Sequence, residues 1–184
     1  DEGVSADCCG FVEELETTVE LTCISNSCIA EGRRHESIAP MVYSGQSNTQ
    51  IAWLLKTLHS EAASASAFLL LRRELINHSA PSSLIERCTN AAREEVEHAR
   101  LIRRPIPNEP FPRIEVGKLP NRTLLEFATE NVVEGCVFEA FAAVLALWQS
   151  NNAPTQTLRD TFGRIANDEM GHAQLAYDIH EWVV

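Results

Sequence analysis

The sequence has no unbroken apolar run near the roughly 20 residues that a bilayer-spanning helix needs. Its longest candidate, Ala140–Trp148, is far too short. Positive charge is sparse: 15 Lys and Arg stand against 26 Asp and Glu, a formal net charge of -11. Such a surface argues against nucleic acid or anionic membrane as a partner and is compatible with attracting cations. The CxxC spacing of a zinc site is missing as well. Of the six cysteines, Cys8, Cys9, Cys23 and Cys28 crowd the first 28 residues, and Cys8 and Cys9 are adjacent. This pattern favours disulfides in an oxidising compartment over a metal knuckle, with the pairing left open. Neither an initial Met nor a signal-like apolar stretch opens the chain at Asp1. The expectation is therefore a processed or partial product located outside the cytoplasm, in the periplasm or at the cell surface.

Hydrophobic residues make up 45% of the 184, enough for a full-sized core in one domain with a short appendage. Residues 1–47 read as that appendage, a cysteine-rich N-terminal arm punctuated by Gly10, Asn26, Gly32 and Gly45. Alternating Thr17, Val19 and Leu21, with β-branched Thr17, Thr18 and Val19, suggest one or two short strands, the alternative being a first helix over Val12–Leu21. A protein partner could dock through this arm, and self-association is compatible with the rest.

From residue 48 onward the pattern is all-α. Leu54, Leu58, Glu61, Ala65 and Phe68 share one face of a helix from Gln50 to Ile76. A second helix begins at Pro81 and ends before Pro105, with Leu84, Cys88, Ala91, Glu95, His98 and Ile102 on one side. Five of the eight prolines then fall between 105 and 120, a density that excludes helix and suits a long crossover. A third helix, capped by Asn121, reaches Ser150 with Leu124, Phe127, Asn131, Glu134, Phe138, Phe141 and Leu145 inward. The fourth spans Thr155 to Trp182, with Phe162, Ile165, Glu169, His172, Ala176 and Ile179 inward.

Charged groups on these apolar stripes need an explanation, because an unpartnered buried carboxylate costs several kcal/mol. Glu95-Val96-Glu97-His98 and Glu169-Met170-Gly171-His172 are both Glu-x-x-His, which places the two side chains side by side on a helix. Glu61 lies 34 residues before Glu95, and Glu134 lies 35 before Glu169. One Glu from each of two helices and a Glu-x-x-His from each of the others is the donor set of a two-metal carboxylate centre. Carboxylate oxygen with imidazole nitrogen suits iron first and manganese second, alone or mixed. Glu95 and Glu169 are expected to bridge, with Glu61 and Glu134 terminal. Glu130 and Glu139, near Glu134, are candidates for an extra ligand, although a solvated or outer carboxylate is their commoner role. Arg93 and Arg100 project to other faces, so the sequence offers no evident cation for a core built of salt bridges.

The segments Ser60–Phe68, Glu94–Ala99, Val133–Glu139 and Ile165–Ala176 resemble the bacterial ferritin-like domain proteins of the ferritin and ribonucleotide-reductase-like superfamily. The resemblance covers about residues 50–183. It implies a ferritin-like four-helix bundle with one long crossover, two metal ions, and the ligands Glu61, Glu95, His98, Glu134, Glu169 and His172. Ala62 stands where the group often has His, and Gly171 where it often has Arg. The implied function is an oxidoreductase that activates O2 or peroxide or oxidises Fe(II). The alternative is a structural subunit whose metals stabilise a scaffold docked through its arm.

Overall fold

The computed structural model describes residues 11–15, 18–22, 32–39 and 50–184. Strands β1 (Phe11–Leu15) and β2 (Thr18–Thr22) pair antiparallel, Phe11 opposite Thr22. The four arm cysteines lie outside the described residues. Residues 50–184 carry four helices: α1 (Gln50–Asn77), α2 (Ser82–Arg103), α3 (Leu124–Asn152) and α4 (Gln156–Val183). Helix α1 lies along α2, α3 along α4, and the two pairs meet where α2 faces α4.

Local chemistry sets the helix ends. Ser79 takes a left-handed conformation at φ 58° after α1. Ala80 N–H then donates to Leu75 O, and Ser79 N–H to Ile76 O, the closed helix end usually built on glycine. Pro81 starts α2, and Arg100 and Arg103 sit at its C-terminal end, where the helix dipole favours cations. Thr123, rather than the expected Asn121, caps α3: its side chain accepts from Glu126 N–H while the Glu126 carboxylate accepts from Thr123 N–H. Thr155 caps α4 through Leu158 N–H.

The interior is layered. One apolar cluster gathers Phe68, Leu71, Leu75, Cys88, Phe127 and Ile179. A second gathers Leu54, Leu58, Ile102, Phe162 and Ile165. Between them, each helix contributes polar groups: Glu61 and Ser64 from α1, Glu95 and His98 from α2, Asn131 and Glu139 from α3, Glu169 and His172 from α4. Cys88 and Cys136 are free, buried thiols.

Two features depart from the sequence reading. Helix α3 contains a π segment over Asn131–Glu139. A π turn closes i→i+5 bonds and takes an extra residue, so the inward face advances along the sequence. Expected inward residues Leu124, Phe138 and Phe141 are partly or well exposed, while Gly135, Cys136, Glu139, Ala142, Ala143 and Ala146 are buried. The bulky residues Leu125, Val137, Phe141, Val144 and Leu147 line the outside. By length and composition α3 is the one helix among the described residues apolar enough to cross a membrane. A search for unbroken apolar runs passes over it because Glu126, Glu130, Glu134 and Glu139 interrupt it.

The second departure concerns residues 32–39, assigned by sequence to the arm. They lie on the helices as a strap. Gly117 N–H donates to Ser37 O, Ala39 N–H to Glu115 O, and Ser37 Oγ to Lys118 O, with Ile38 and Val116 bridged. The crossover is thereby tied to the strap. Arg33 and His35 are buried.

Candidate metal centre

Six acidic and imidazole groups meet in the polar layer. Ligand atoms of Glu61, Glu95, His98 and Glu169 lie within 4.8 Å of one another, as do those of Glu95, Glu139, Glu169 and His172. Glu95 and Glu169 belong to both groups. Five of the six sequence-predicted residues are therefore brought together. The sixth, Glu134, is corrected: it is partly exposed and accepts the backbone N–H of Arg34 at 3.1 Å. Glu139 takes the inward place, fully buried. The interval argument chose Glu134 by assuming an α-helical phase, and the π segment moves that phase.

The distances are informative. His98 Nδ1 lies 3.4 Å from Glu61 Oε2, 3.4 Å from Glu95 Oε2 and 3.7 Å from Glu169 Oε1. His172 Nδ1 lies 3.2 Å from Glu95 Oε1, 3.4 Å from Glu169 Oε2 and 4.0 Å from Glu139 Oε2. Each shared glutamate thus presents one oxygen to one histidine and the other oxygen to the second. Donors about 2.1 Å from a common ion stand about 3.0–3.4 Å apart, close to most of these separations.

The inner donor atoms are orphans. His98 Nδ1, His172 Nδ1, Glu95 Oε2, Glu169 Oε2 and both Glu139 oxygens are buried without a hydrogen-bond partner. They stand within ion-pair distance of one another without well-aligned hydrogen bonds, whereas buried polar groups are nearly always hydrogen-bonded. The outer imidazole nitrogens, by contrast, are fixed. His98 Nε2 lies 3.0 Å from Asp168 Oδ2, and His172 Nε2 lies 2.9 Å from Glu94 Oε2. A carboxylate on the far nitrogen orients a ligating histidine and raises its basicity. Sequence reasoning missed Asp168 and Glu94. The signal was present: both motifs are an acidic residue followed by Glu-x-x-His. Ser64 Oγ donates to Glu95 Oε1 at 3.1 Å and steadies that shared carboxylate.

Electrostatics describe a cluster that holds protons when it holds no metal. Burial works against a charged His98, but the Glu61 and Glu95 carboxylates prevail and push it up to about 11. Burial likewise opposes charge on His172, yet Glu169, Glu94 and Glu95 raise it well above its ordinary value. Burial pushes Glu61 up to about 8, aided by Glu95 and Glu169 and opposed by His98. Burial and the neighbouring Glu169 raise Glu139. Burial would raise Glu95 too, but His172 and His98 hold it well below the usual carboxylate range. The imidazoles are thus biased toward their charged form, and Glu61 and Glu139 toward their protonated form.

A third acidic group, His35, Glu74 and Glu130, also converges. Arg122 fills it, pairing with Glu74 and Glu130 and lying 3.1 Å from His35 Nε2. A guanidinium already stands where an ion would, so this group is a structural ion-pair network.

No family model, no curated protein and no solved structure matches the chain.

Proposed function

We propose that this chain is a two-metal carboxylate protein of ferritin-like architecture, with iron or manganese as the metals, acting as an oxidoreductase on O2 or peroxide or as an Fe(II) oxidase. One observation carries the reading: Glu95 and Glu169 each divide their two oxygens between His98 Nδ1 and His172 Nδ1. That is the disposition of bridging carboxylates between two ions. Glu61 with His98 would complete one ion's set, and Glu139 with His172 the other's. Oxygen and imidazole donors without thiolate favour iron or manganese.

Bound iron would supply one-electron chemistry toward O2 or peroxide. The chain's own residues supply position and shelter. Asp168 and Glu94 aim the imidazoles, and Ser64 aims Glu95. The two apolar clusters keep bulk water from the layer. A cleft lined by Trp53, Thr57, Ala142, Ala146 and Phe162 reaches Glu61 and Glu169, a route for a small molecule. The test is anaerobic loading with Fe(II) followed by O2. Two Fe(II) per chain and a transient visible absorption are expected. Failure to take up a second ion would overturn the two-metal assignment.

The apolar outer side of α3 favours a second reading, a scaffold that binds a partner. In that case the loaded metals stay inert to O2 in the same experiment.

A further inference from the structure

The sequence offered no cation for the carboxylate layer, yet one is buried beside it. Arg33 comes from the strap and is only 3% exposed. Its Nη2 donates to Asn131 Oδ1 at 3.0 Å, and the Asn131 amide is itself held by donation to Ala176 O at 2.8 Å. The guanidinium lies 5.8 Å from the centre of the Phe68 ring, and that ring lies 4.9 Å from the His172 imidazole. Space for it is made by Gly135: a Cβ there would fall 2.7 Å from Arg33 Nη1 and 2.5 Å from the Ala176 methyl. The neighbouring Gly32 sits against Ser64, where an added Cβ would meet Oγ at 3.0 Å. Glu134, absent from the metal centre, fastens the strap through Arg34 N–H.

This receptacle is built for a charged group, with a glycine that leaves room, an oriented amide and an aromatic face. Burying a guanidinium is costly without negative charge nearby, and Glu139 and Glu134 are the carboxylates that offset its burial. Four carboxylates of the cluster, Glu61, Glu95, Glu139 and Glu169, share this interior.

We infer that Arg33 is a built-in counter-cation of the metal centre, a positioning residue that stabilises the metal-free cluster and opposes the entry of divalent cations. The inference rests on the metal-site reading above. Its sign follows from Coulomb's law: removing a fixed positive charge from the edge of the cluster makes it more attractive to a divalent ion and harder to hold together without one.

The test compares wild type, R33M and R33K as full chains stripped with a chelator. Mn(II) alone is the probe, with affinity read by titration calorimetry and stability by thermal melting. R33M is expected to bind Mn(II) about tenfold more tightly or better, and to melt lower than wild type only when metal-free. R33K is expected to restore both properties in large part. Unchanged or weaker Mn(II) binding by R33M overturns the inference, as does an unchanged metal-free melting temperature. Should metal-free R33M fail to fold, recovery on adding Mn(II) supports the inference and failure to recover overturns it. If wild type takes up no Mn(II) or Fe(II), the metal reading itself falls, and a metal-free melting temperature shared by R33M and wild type would independently reject the counter-cation.

Discussion

Glu139 and Glu134 make opposite predictions. Glu139 is fully buried, and neither of its oxygens has a hydrogen-bond partner. Leaving one buried polar group unsatisfied costs about 1–3 kcal/mol. Met fills similar space and removes the unsatisfied carboxyl, but it also takes away the charge that offsets the buried Arg33. Breaking such a buried pair costs about 3–5 kcal/mol, so E139M should destabilise the metal-free protein by a net amount of up to about 4 kcal/mol. For a chain of this size each kcal/mol moves the midpoint by about 2–4 °C, so a fall of up to about 16 °C is expected. The same substitution removes a donor from the His172 half of the site. Metal at 100 times its dissociation constant adds about 2.7 kcal/mol to wild-type stability, and E139M should lose most of that gain. E134Q keeps an acceptor for Arg34 N–H at a partly exposed position and should stay within about 0.5 kcal/mol of wild type in either state. Thermal melts followed by circular dichroism, with chelator and with Mn(II), give all six numbers. A raised metal-free midpoint for E139M together with an intact metal response would refute the reasoning. So would loss of that response in E134Q.

Other expectations follow from the same geometry. D168N and E94Q each unfix one imidazole and should weaken Mn(II) binding about 10–100-fold, measured by competition with a chelator; equal affinity in both variants would show that these acids orient nothing. Metal uptake should release protons, because His98 is pushed up to about 11 and Glu61 up to about 8, so affinity should rise with pH between 6 and 8; calorimetry in buffers of different ionisation enthalpy counts the protons. Both groups bind protons more tightly in the folded than in the unfolded chain. Their contribution to metal-free stability is therefore full below their unfolded values. It is lost as pH rises through about 8 for Glu61 and about 11 for His98, so melting temperatures should fall toward alkaline pH. S79G should raise the melting temperature by relieving the left-handed φ of 58°, a gain of up to about 1 kcal/mol; a loss would mean that the serine side chain has a role of its own.

Four helices and five of the six clustered acidic and imidazole residues are legible in the sequence because the inward residues recur at the α-helical period. Leu58, Glu61, Ala65 and Phe68 on α1 and Ile165, Glu169, His172 and Ala176 on α4 are cases in point. The method fails where the period changes. Within Asn131–Glu139 the extra residue of the π segment exchanges Glu134 for Glu139 and turns Phe138 and Phe141 outward. Gly135 was the available hint, since no Cβ fits between α3, Ala176 and Arg33. Arg33 was out of reach for another reason. It lies 98 residues before its partner Asn131, in a strap without periodicity, and only the folded chain brings the two together. Asp168 and Glu94 are legible as the acid repeated before each Glu-x-x-His.

The crossed support of the histidines also bears on biosynthesis. Asp168 of α4 holds His98 of α2, and Glu94 of α2 holds His172 of α4. A nascent chain that has emerged only as far as Asn152 carries Glu61, Glu94, Glu95, His98 and Glu139 but lacks Asp168, the anchor of His98, and His172 itself. On the two-metal proposal, neither ion's nest would be finished until α4 has left the ribosome and docked on α2, so a half-made chain would offer metal only an incomplete set of donors.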